Sequence, residues 1–152
     1  MYSYKYPRPM LTADFVVLGA RRDGGYALLL VERGNDPFKG MWALPGGFME
    51  MDETLEACAR RELEEETGCA VQGPLEELGS FSAVDRDPRG RTVTVAFMAV
   101  VEEHPVAGGD DARQARWFPL DQLPPWAFDH KEIVAAALKR KFGAAQPQSE
   151  AQ

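Results

Sequence analysis

Three glutamates, at positions 62, 65 and 66, have a spacing that could build a metal site. Side chains three and four residues apart lie on one face of a helix. A helix at this point would therefore gather the carboxylates of Glu62, Glu65 and Glu66 into one patch about one turn long. Because clustered carboxylate oxygens suit a hard divalent cation, the sequence predicts an Mg²⁺ site, with Mn²⁺ as the alternative ion.

A helix over residues 53–67 would turn these carboxylates towards its buried side. At about 100° per residue the apolar positions form one stripe, made of Leu55, Cys58, Ala59 and Leu63. Glu62 and Glu66 fall inside this stripe, and Glu65 lies at its edge. Since an unpaired buried carboxylate is very costly, the pattern favours a metal site over a solvated acidic face. The solvated face remains the interpretation for Glu50, Glu56 and Glu64.

The composition narrows the classes of function. The chain has 152 residues and a formal net charge of -7, which fits one domain with a sizeable core and disfavours a nucleic-acid-binding surface. A small anionic substrate is still compatible, because a bound cation inverts the local field. The two cysteines fit no zinc or disulfide pattern, and the sequence has no run of about 18 apolar residues. We therefore expect a cytoplasmic protein without nucleic-acid or membrane partners.

Apolar segments separated by turn residues predict a layered α/β domain. Strands are expected over residues 12–18, 26–32, 41–44, 75–83, 92–102 and 115–119. The prolyl-diglycine at positions 45–47 should stop the third of them. A second helix is expected over residues 129–142, with Asp129 as its N-cap. We expect a single domain over residues 1–143 with an extended N-terminal arm (residues 1–10), which could pack on this domain or on a second subunit, and a disordered tail over residues 144–152.

The acidic helix belongs to a longer pattern. Gly47, five residues and Glu53 are followed by seven residues, Arg61-Glu62, an aliphatic residue, any residue, Glu65-Glu66, any residue and Gly68. This pattern resembles the signature of the Nudix hydrolases at every fixed position, with Cys69 where an aliphatic residue is usual. The resemblance implies an α/β/α sandwich with a mixed, partly antiparallel sheet. It also implies hydrolysis of a diphosphate that is linked to another moiety.

The same resemblance implies roles for individual residues. The carbonyl of Gly47 would join Glu62, Glu65 and Glu66 as metal ligands. Arg61 and Glu53 would pair with each other and orient that set. The general base is left open between a motif glutamate and an acid of a later loop, for which Asp110 and Asp111 are candidates, with Glu102 and Glu103 as weaker ones. His104 and His130 are not expected to be catalytic.

Outside the motif, the chain resembles the ADP-ribose pyrophosphatase branch of that family. The similar segments are YPRPMLTADFVV, VERGNDPFKGMWALPGG, DRDPRGRTVTVAF, GGDDARQARWFPLDQLP and FDHKEIVAAAL. Arginine offers planar recognition of phosphate through several donors, so the substrate-contact candidates in these segments are Arg33, Arg86, Arg89 and Arg91. Phe38 could stack on adenine. Each of these side chains could instead be an ordinary loop residue.

The leading prediction is hydrolysis of ADP-ribose, a nucleotide sugar, to AMP and ribose 5-phosphate. A pyrophosphatase for oxidised nucleoside triphosphates and a non-catalytic ADP-ribose sensor are the alternatives. Related sugar-sensing regulators carry an added DNA-binding domain, for which the segment after Phe142 is too short. A homodimer is expected from the aromatic N-terminal arm and from the family habit of exchanging such segments between subunits.

Overall fold

The computed structural model of the chain describes residues 2–109 and 112–143. Asp110, Asp111 and the tail predicted to be disordered (residues 144–152) lie outside the described residues. No helix in the described part is long and apolar enough to cross a membrane.

Within the described residues, seven strands form one mixed sheet. They are β1 (Met10–Ala20), β2 (Tyr26–Arg33), β3 (Trp42–Ala43), β4 (Gly46–Phe48), β5 (Glu76–Phe81), β6 (Thr92–Glu102) and β7 (Ala112–Pro119). The main order is β3-β2-β1-β6-β5, while β4 pairs with β1 and β7 pairs with β2.

Strand β1 is the central strand of the sheet, and one of its edges is shared by two different partner strands. It pairs in parallel with β6 over its whole length, from Met10 opposite Thr92 to Ala20 opposite Glu102. On its other side, residues 18–20 pair with β2 and residues 12–14 pair with β4, both antiparallel. The two partners therefore diverge from the middle of β1, and the gap between them becomes a cleft.

Two helices cover opposite faces of the sheet, which confirms the predicted α/β/α sandwich. Helix α1 (Leu55–Thr67) buries Cys58, Ala59 and Leu63 against one face. Helix α2 (His130–Phe142) packs on the other face through the buried side chains Ile133, Val134, Ala137 and Leu138. Both cysteines are buried and free of disulfides, as expected of small apolar side chains.

The predicted stop of the third strand is confirmed, because β3 ends at Ala43. The prediction missed that Gly46–Phe48 then forms a separate strand, β4, which pairs with β1 and not with β2. Gly46 lies against β1 so closely that a Cβ would overlap the Ala13 carbonyl oxygen and the Asp14 carboxylate. A strand can therefore form here only because glycine lacks a side chain. Helix α1 also begins two residues later than predicted, after Thr54, whose hydroxyl accepts a hydrogen bond from the Ala57 N–H as an N-cap.

The described part of the N-terminal arm that precedes β1, residues 2–9, is exposed. Tyr2 and Tyr6 are 71% and 69% exposed. Within the arm, the Arg8 guanidinium lies 3.9 Å from the centre of the Tyr4 ring. Of the two positions predicted for the arm, packing on its own domain is therefore not observed.

Candidate active site

Strand β4 places the backbone of Gly46 and Gly47 directly against helix α1. The Gly46 N–H donates a 2.9 Å hydrogen bond to Glu66 Oε1. A Cβ on Gly47 would lie 2.5 Å from Glu62 Oε2, so only glycine allows the backbone to approach this carboxylate so closely. The backbone of Gly47 and the side chains of Glu62 and Glu66 are thereby brought together, as the sequence predicted.

Arg61 connects the remaining acids of the motif. Its Nε and Nη2 donate to the two Glu53 carboxylate oxygens at 2.9 and 2.7 Å. Its Nη1 lies 3.1 Å from Glu62 Oε2 and 3.2 Å from Glu65 Oε1. The Arg61 hydrogen bonds lower the pKa of Glu53 to about 2, and the same pairing raises the pKa of Arg61. Arg61 therefore offsets the repulsion among the glutamates and holds them at one end of the cleft.

The glutamates differ in exposure in the way that the helix periodicity predicts. The Glu62 side chain is 15% exposed and that of Glu65 is 42% exposed, while Glu66 is half-buried. The Cys58 thiol lies beneath them and donates to the Gly47 carbonyl oxygen at 3.4 Å. Burial, together with the nearby Glu53, raises the pKa of Cys58 to about 12. The thiol is therefore neutral at physiological pH and acts as a packing group.

The donor set fits a hard cation without being a preformed cage. In the described part of the chain, no three acidic, histidine or cysteine side chains already stand together at ligating distance. The oxygens of Glu62 and Glu65 bond to Arg61 instead, and Glu66 bonds to the Gly46 N–H. The predicted ligands, Glu62, Glu65, Glu66 and the Gly47 carbonyl, offer only oxygen atoms, which match Mg²⁺ or Mn²⁺ better than a soft metal.

The gap between β2 and β4 is a cleft of about 480 Å³, a volume that suits a nucleotide-sized ligand. Its lining includes Thr12, Asp14, Glu32, Arg33, Leu44, Gly46, Glu62, Glu66, Arg86, Arg89, Phe128 and His130. The lining combines carboxylates of α1 with a group of arginines, here called the arginine wall: Arg33 at the end of β2, and Arg86 and Arg89 in the loop after β5. The cleft therefore offers a place for cations beside a place for anions.

Arg33 and Arg89 are held at the arginine wall by their own loops. Arg33 Nε donates to the Pro37 carbonyl at 2.6 Å. Arg89 Nε and Nη2 bond to the Asp87 carboxylate at 3.1 and 2.8 Å. Burial alone would raise the pKa of Asp87, but the hydrogen bonds from Arg89 outweigh it and leave that pKa lowered. Asp87 is therefore ionised and fixes the guanidinium of Arg89.

The other three predicted substrate contacts have different surroundings. Arg86 lines the cleft, but its side chain is buried and bonds to both oxygens of Asp129 at 2.9 and 2.7 Å. For that reason Asp129 occupies the N-cap position of α2 without capping it through its side chain. Arg91 is exposed and donates to the Ala83 carbonyl at 3.3 Å, outside the cleft lining. Phe38 is also outside the lining and packs edge-on against Phe128, with 4.7 Å between ring centres.

A buried polar cluster beside the cleft was not predicted from the sequence. The Leu44 N–H donates to His130 Nδ1 at 2.9 Å, and His130 Nε2 lies 3.7 Å from Asp14 Oδ2. Thr94 Oγ1 donates to the same Asp14 oxygen at 2.7 Å. Burial lowers the pKa of His130, so the ring is neutral and can accept the Leu44 hydrogen bond. The one sign of this cluster in the sequence was Asp14, an acidic residue within an otherwise apolar strand segment.

The candidates for the general base are only partly described. Asp110 and Asp111 lie outside the described residues. Glu103 pairs with Arg21 at 3.1 Å and does not line the cleft. Of the motif glutamates in the described part of the chain, Glu62 and Glu66 line the cleft and remain candidates.

Comparison with known proteins places this geometry in a family. The NUDIX domain family matches residues 10–137. The chain is 44% identical over 138 residues to an ADP-ribose pyrophosphatase of Methanocaldococcus jannaschii, covering 91% of this chain and 78% of that protein. It is 37% identical over 141 residues to the ADPR responsive transcriptional repressor NtrR of Acinetobacter baylyi, covering 89% of this chain but only 55% of the repressor.

A solved structure gives the same picture. The NUDIX domain of Shewanella oneidensis NrtR, complexed with ADP ribose, superposes with a TM-score of 0.81 at 33% identity, covering 92% of this chain and 94% of that domain. The fold, the packing of Gly46 and Gly47 against the acidic helix, and these matches all indicate the same family. The chain belongs to the Nudix family of pyrophosphohydrolases.

Proposed function

We propose that this protein hydrolyses ADP-ribose to AMP and ribose 5-phosphate. The observation that carries the proposal is the cleft, whose lining combines the side chains of Glu62 and Glu66 with those of Arg33 and Arg89. A diphosphate needs both partners, because arginines bind its oxygens and carboxylates retain the cation that it requires. Similarity to a named ADP-ribose pyrophosphatase supports this substrate.

The proposed reaction adds one water across the diphosphate. The water oxygen bonds to one phosphorus, the bond from that phosphorus to the bridging oxygen breaks, and the bridging oxygen leaves on the other phosphate. One proton passes to a general base, either a motif glutamate or Asp111. Arg33 and Arg89 would orient the phosphates, while Arg61 and Glu53 would hold the carboxylates in place.

The residues that would hold the cation are Glu62, Glu65, Glu66 and the Gly47 carbonyl. We propose Mg²⁺ as the ion, with Mn²⁺ able to replace it. Such a cation neutralises phosphate charge and lowers the pKa of a water bound to it. The close approach of the Gly47 backbone to the Glu62 carboxylate supports this assignment.

Glu66→Gln with Glu64→Gln as the matched control tests the proposal. Both residues are on α1, but Glu64 is exposed and points away from the cleft. E66Q should lose turnover of ADP-ribose by at least roughly tenfold to a hundredfold, the loss that even the outer partners of a metal site cause, whereas E64Q should retain it. AMP and ribose 5-phosphate are quantified by chromatography with Mg²⁺ and then with Mn²⁺. Full activity of E66Q would refute the metal assignment.

A substrate panel separates this activity from the related one on oxidised nucleotides. ADP-ribose should yield AMP, whereas an oxidised nucleoside triphosphate would yield its monophosphate and inorganic pyrophosphate. A higher kcat/KM for the triphosphate would replace the proposed substrate.

A non-catalytic ADP-ribose sensor is the second candidate function. It is favoured by the similarity to an ADPR responsive repressor and to a domain complexed with ADP ribose. Calorimetry with ADP-ribose, run alongside the turnover assay, distinguishes the two. A sensor would bind the ligand tightly without turnover and would respond to operator-type DNA, whereas our proposal expects turnover and no DNA shift.

We further propose a cytoplasmic homodimer. The exposed tyrosines of the N-terminal arm support association, because contiguous exposed apolar surface often marks an interface. The two buried free thiols suit a reducing compartment. Light scattering should give twice the chain mass at micromolar concentration, and removal of residues 2–8 should give a monomer. A monomeric mass for the intact chain would refute the dimer, and recovery of activity outside the cytoplasmic fraction would refute the location.

A further inference from the structure

The arginine wall of the cleft is assembled around Phe128. The Arg33 guanidinium lies 5.0 Å from the centre of the Phe128 ring, and the Arg89 guanidinium lies 5.2 Å from the same centre. The two cations are therefore no more than about 10 Å apart, although like charges repel. The electron-rich face of an aromatic ring attracts guanidinium groups and can offset this repulsion.

Phe128 is held in a conformation that its side chain does not favour. Its φ of +53° lies in the left-handed region, which bulky residues rarely adopt. Both neighbours are fixed: the buried Ala127 donates its N–H to the Trp42 carbonyl at 2.8 Å, and Asp129 is bonded to Arg86. The surroundings therefore impose this backbone, and such outliers concentrate at binding sites.

The ring contacts also leave the edges of the guanidinium groups able to donate hydrogen bonds to phosphate. A ring beside the guanidinium occupies its face, whereas its hydrogen-bond donors point outwards in its plane. In Arg89 one edge is bound by Asp87, and a second ring, Phe48, lies 4.9 Å away. The Arg89 guanidinium is thus fixed by a carboxylate and two aromatic rings at the lining of the cleft.

We propose that Phe128 is a positioning residue for phosphate, which sets Arg33 and Arg89 at the spacing that a diphosphate group requires. This inference rests on the proposed function for its choice of ligand, and it assigns to Phe128 no contact with the reacting atoms. The ring acts through the two arginines. Phe128 therefore sets the affinity for the diphosphate part of the substrate.

The test compares ring-keeping and ring-removing variants. Phe128→Leu and Phe128→Met remove the ring, and Phe128→Tyr keeps it. Phe118→Leu is the matched control, because Phe118 also has an arginine 5.5 Å from its ring centre and an edge-on aromatic partner but does not line the cleft. The probe is inorganic pyrophosphate, whose binding is measured by calorimetry without turnover. Urea unfolding identifies the variants that fold.

Loss of the ring should weaken pyrophosphate binding about fivefold to tenfold, given the usual strength of a guanidinium–ring contact. KM should rise more than kcat falls, while Phe128→Tyr and Phe118→Leu should stay within about twofold of the wild type. Equal pyrophosphate affinity in a folded ring-removing variant, or equal losses in Phe128→Tyr, would overturn the inference. If neither ring-removing variant folds, the arginine Nε–H NMR signals of the wild-type protein decide: pyrophosphate should shift those of both Arg33 and Arg89, and an unshifted pair would overturn it.

Pyrophosphate affinity is measured without turnover, so the two proposals can fail separately. If the wild-type protein does not hydrolyse ADP-ribose, but Phe128→Leu still weakens pyrophosphate binding, only the proposed substrate is refuted. Normal ADP-ribose hydrolysis with unchanged pyrophosphate affinity would refute only the role of Phe128.

Discussion

Acidification should weaken the folded state through His130. The ring is buried, and burial lowers its pKa below the ordinary value of 6.5. The charged groups around it are Asp14, Asp129, Arg86 and Arg33, of which the two carboxylates oppose the shift without reversing it. As the pH falls below 6.5, the unfolded chain takes up a proton that the folded chain does not, so stability is lost towards the folded pKa.

The size of the effect follows from this difference in protonation. If folded His130 stays neutral down to pH 5.5, the free energy of unfolding falls by about 1.4 kcal/mol between pH 7.5 and pH 5.5. Glu53 does not contribute in this range, because its pKa is about 2 in the folded state against an ordinary value of 4.5, and the group is ionised in both states. A charged His130 would also be unable to accept the Leu44 hydrogen bond.

Urea unfolding followed by tryptophan fluorescence, at a series of pH values, measures this loss. His130→Asn is the comparison, because asparagine does not titrate and its side-chain oxygen can still accept the Leu44 N–H. The variant should lose about 1.4 kcal/mol less of its free energy of unfolding than the wild type over this range. The same pH dependence in both proteins, or a wild type that gains stability on acidification, would mean that folded His130 is charged.

Three further predictions concern the motif and the cysteines. Gly47→Ala places a methyl group 2.5 Å from Glu62 Oε2 and should lower kcat on the order of a hundredfold, with little change in the urea midpoint; unchanged kinetics would contradict the close contact. Cys58 and Cys69 are buried with raised pKa values, so a thiol reagent should label neither until urea is added, and rapid labelling of the native protein would contradict this. Gly68→Ala at φ +75° should cost about 1 kcal/mol in urea unfolding, and an unchanged midpoint would show that the helix end relaxes.

The sequence was informative where contacts are local. The carboxylate face of α1 could be predicted because helix geometry fixes which side chains share a face, and the burial of Cys58 and Leu63 follows that prediction. The family pattern then supplied the α/β/α arrangement. For the carboxylate face, the positions that determine the outcome lie within about two turns of one another, whereas the family pattern runs from Gly47 to Cys69.

The sequence was less informative where distant residues meet. Asp14 and His130 come together only through the folded sheet, so neither spacing nor periodicity links them. Arg86 was predicted as a substrate contact without a sign that Asp129 would bind it. Strand β4 was missed because a prolyl-diglycine usually marks a turn, whereas here the lack of a side chain at Gly46 permits close strand pairing.

The parallel pairing of β1 with β6 has a consequence for how the protein acquires its site. Met10 pairs with Thr92 and Ala20 pairs with Glu102. The two central strands of the sheet can therefore pair only when a loop of roughly 80 residues closes. Helix α1 and strand β4 both lie within that loop. A chain still emerging from the ribosome cannot complete the sheet that supports α1 until β6 has been synthesised, because β6 pairs with β1 over its whole length. Folding should therefore be comparatively slow, and the glutamate cluster should become competent for a cation only when the whole sheet is complete.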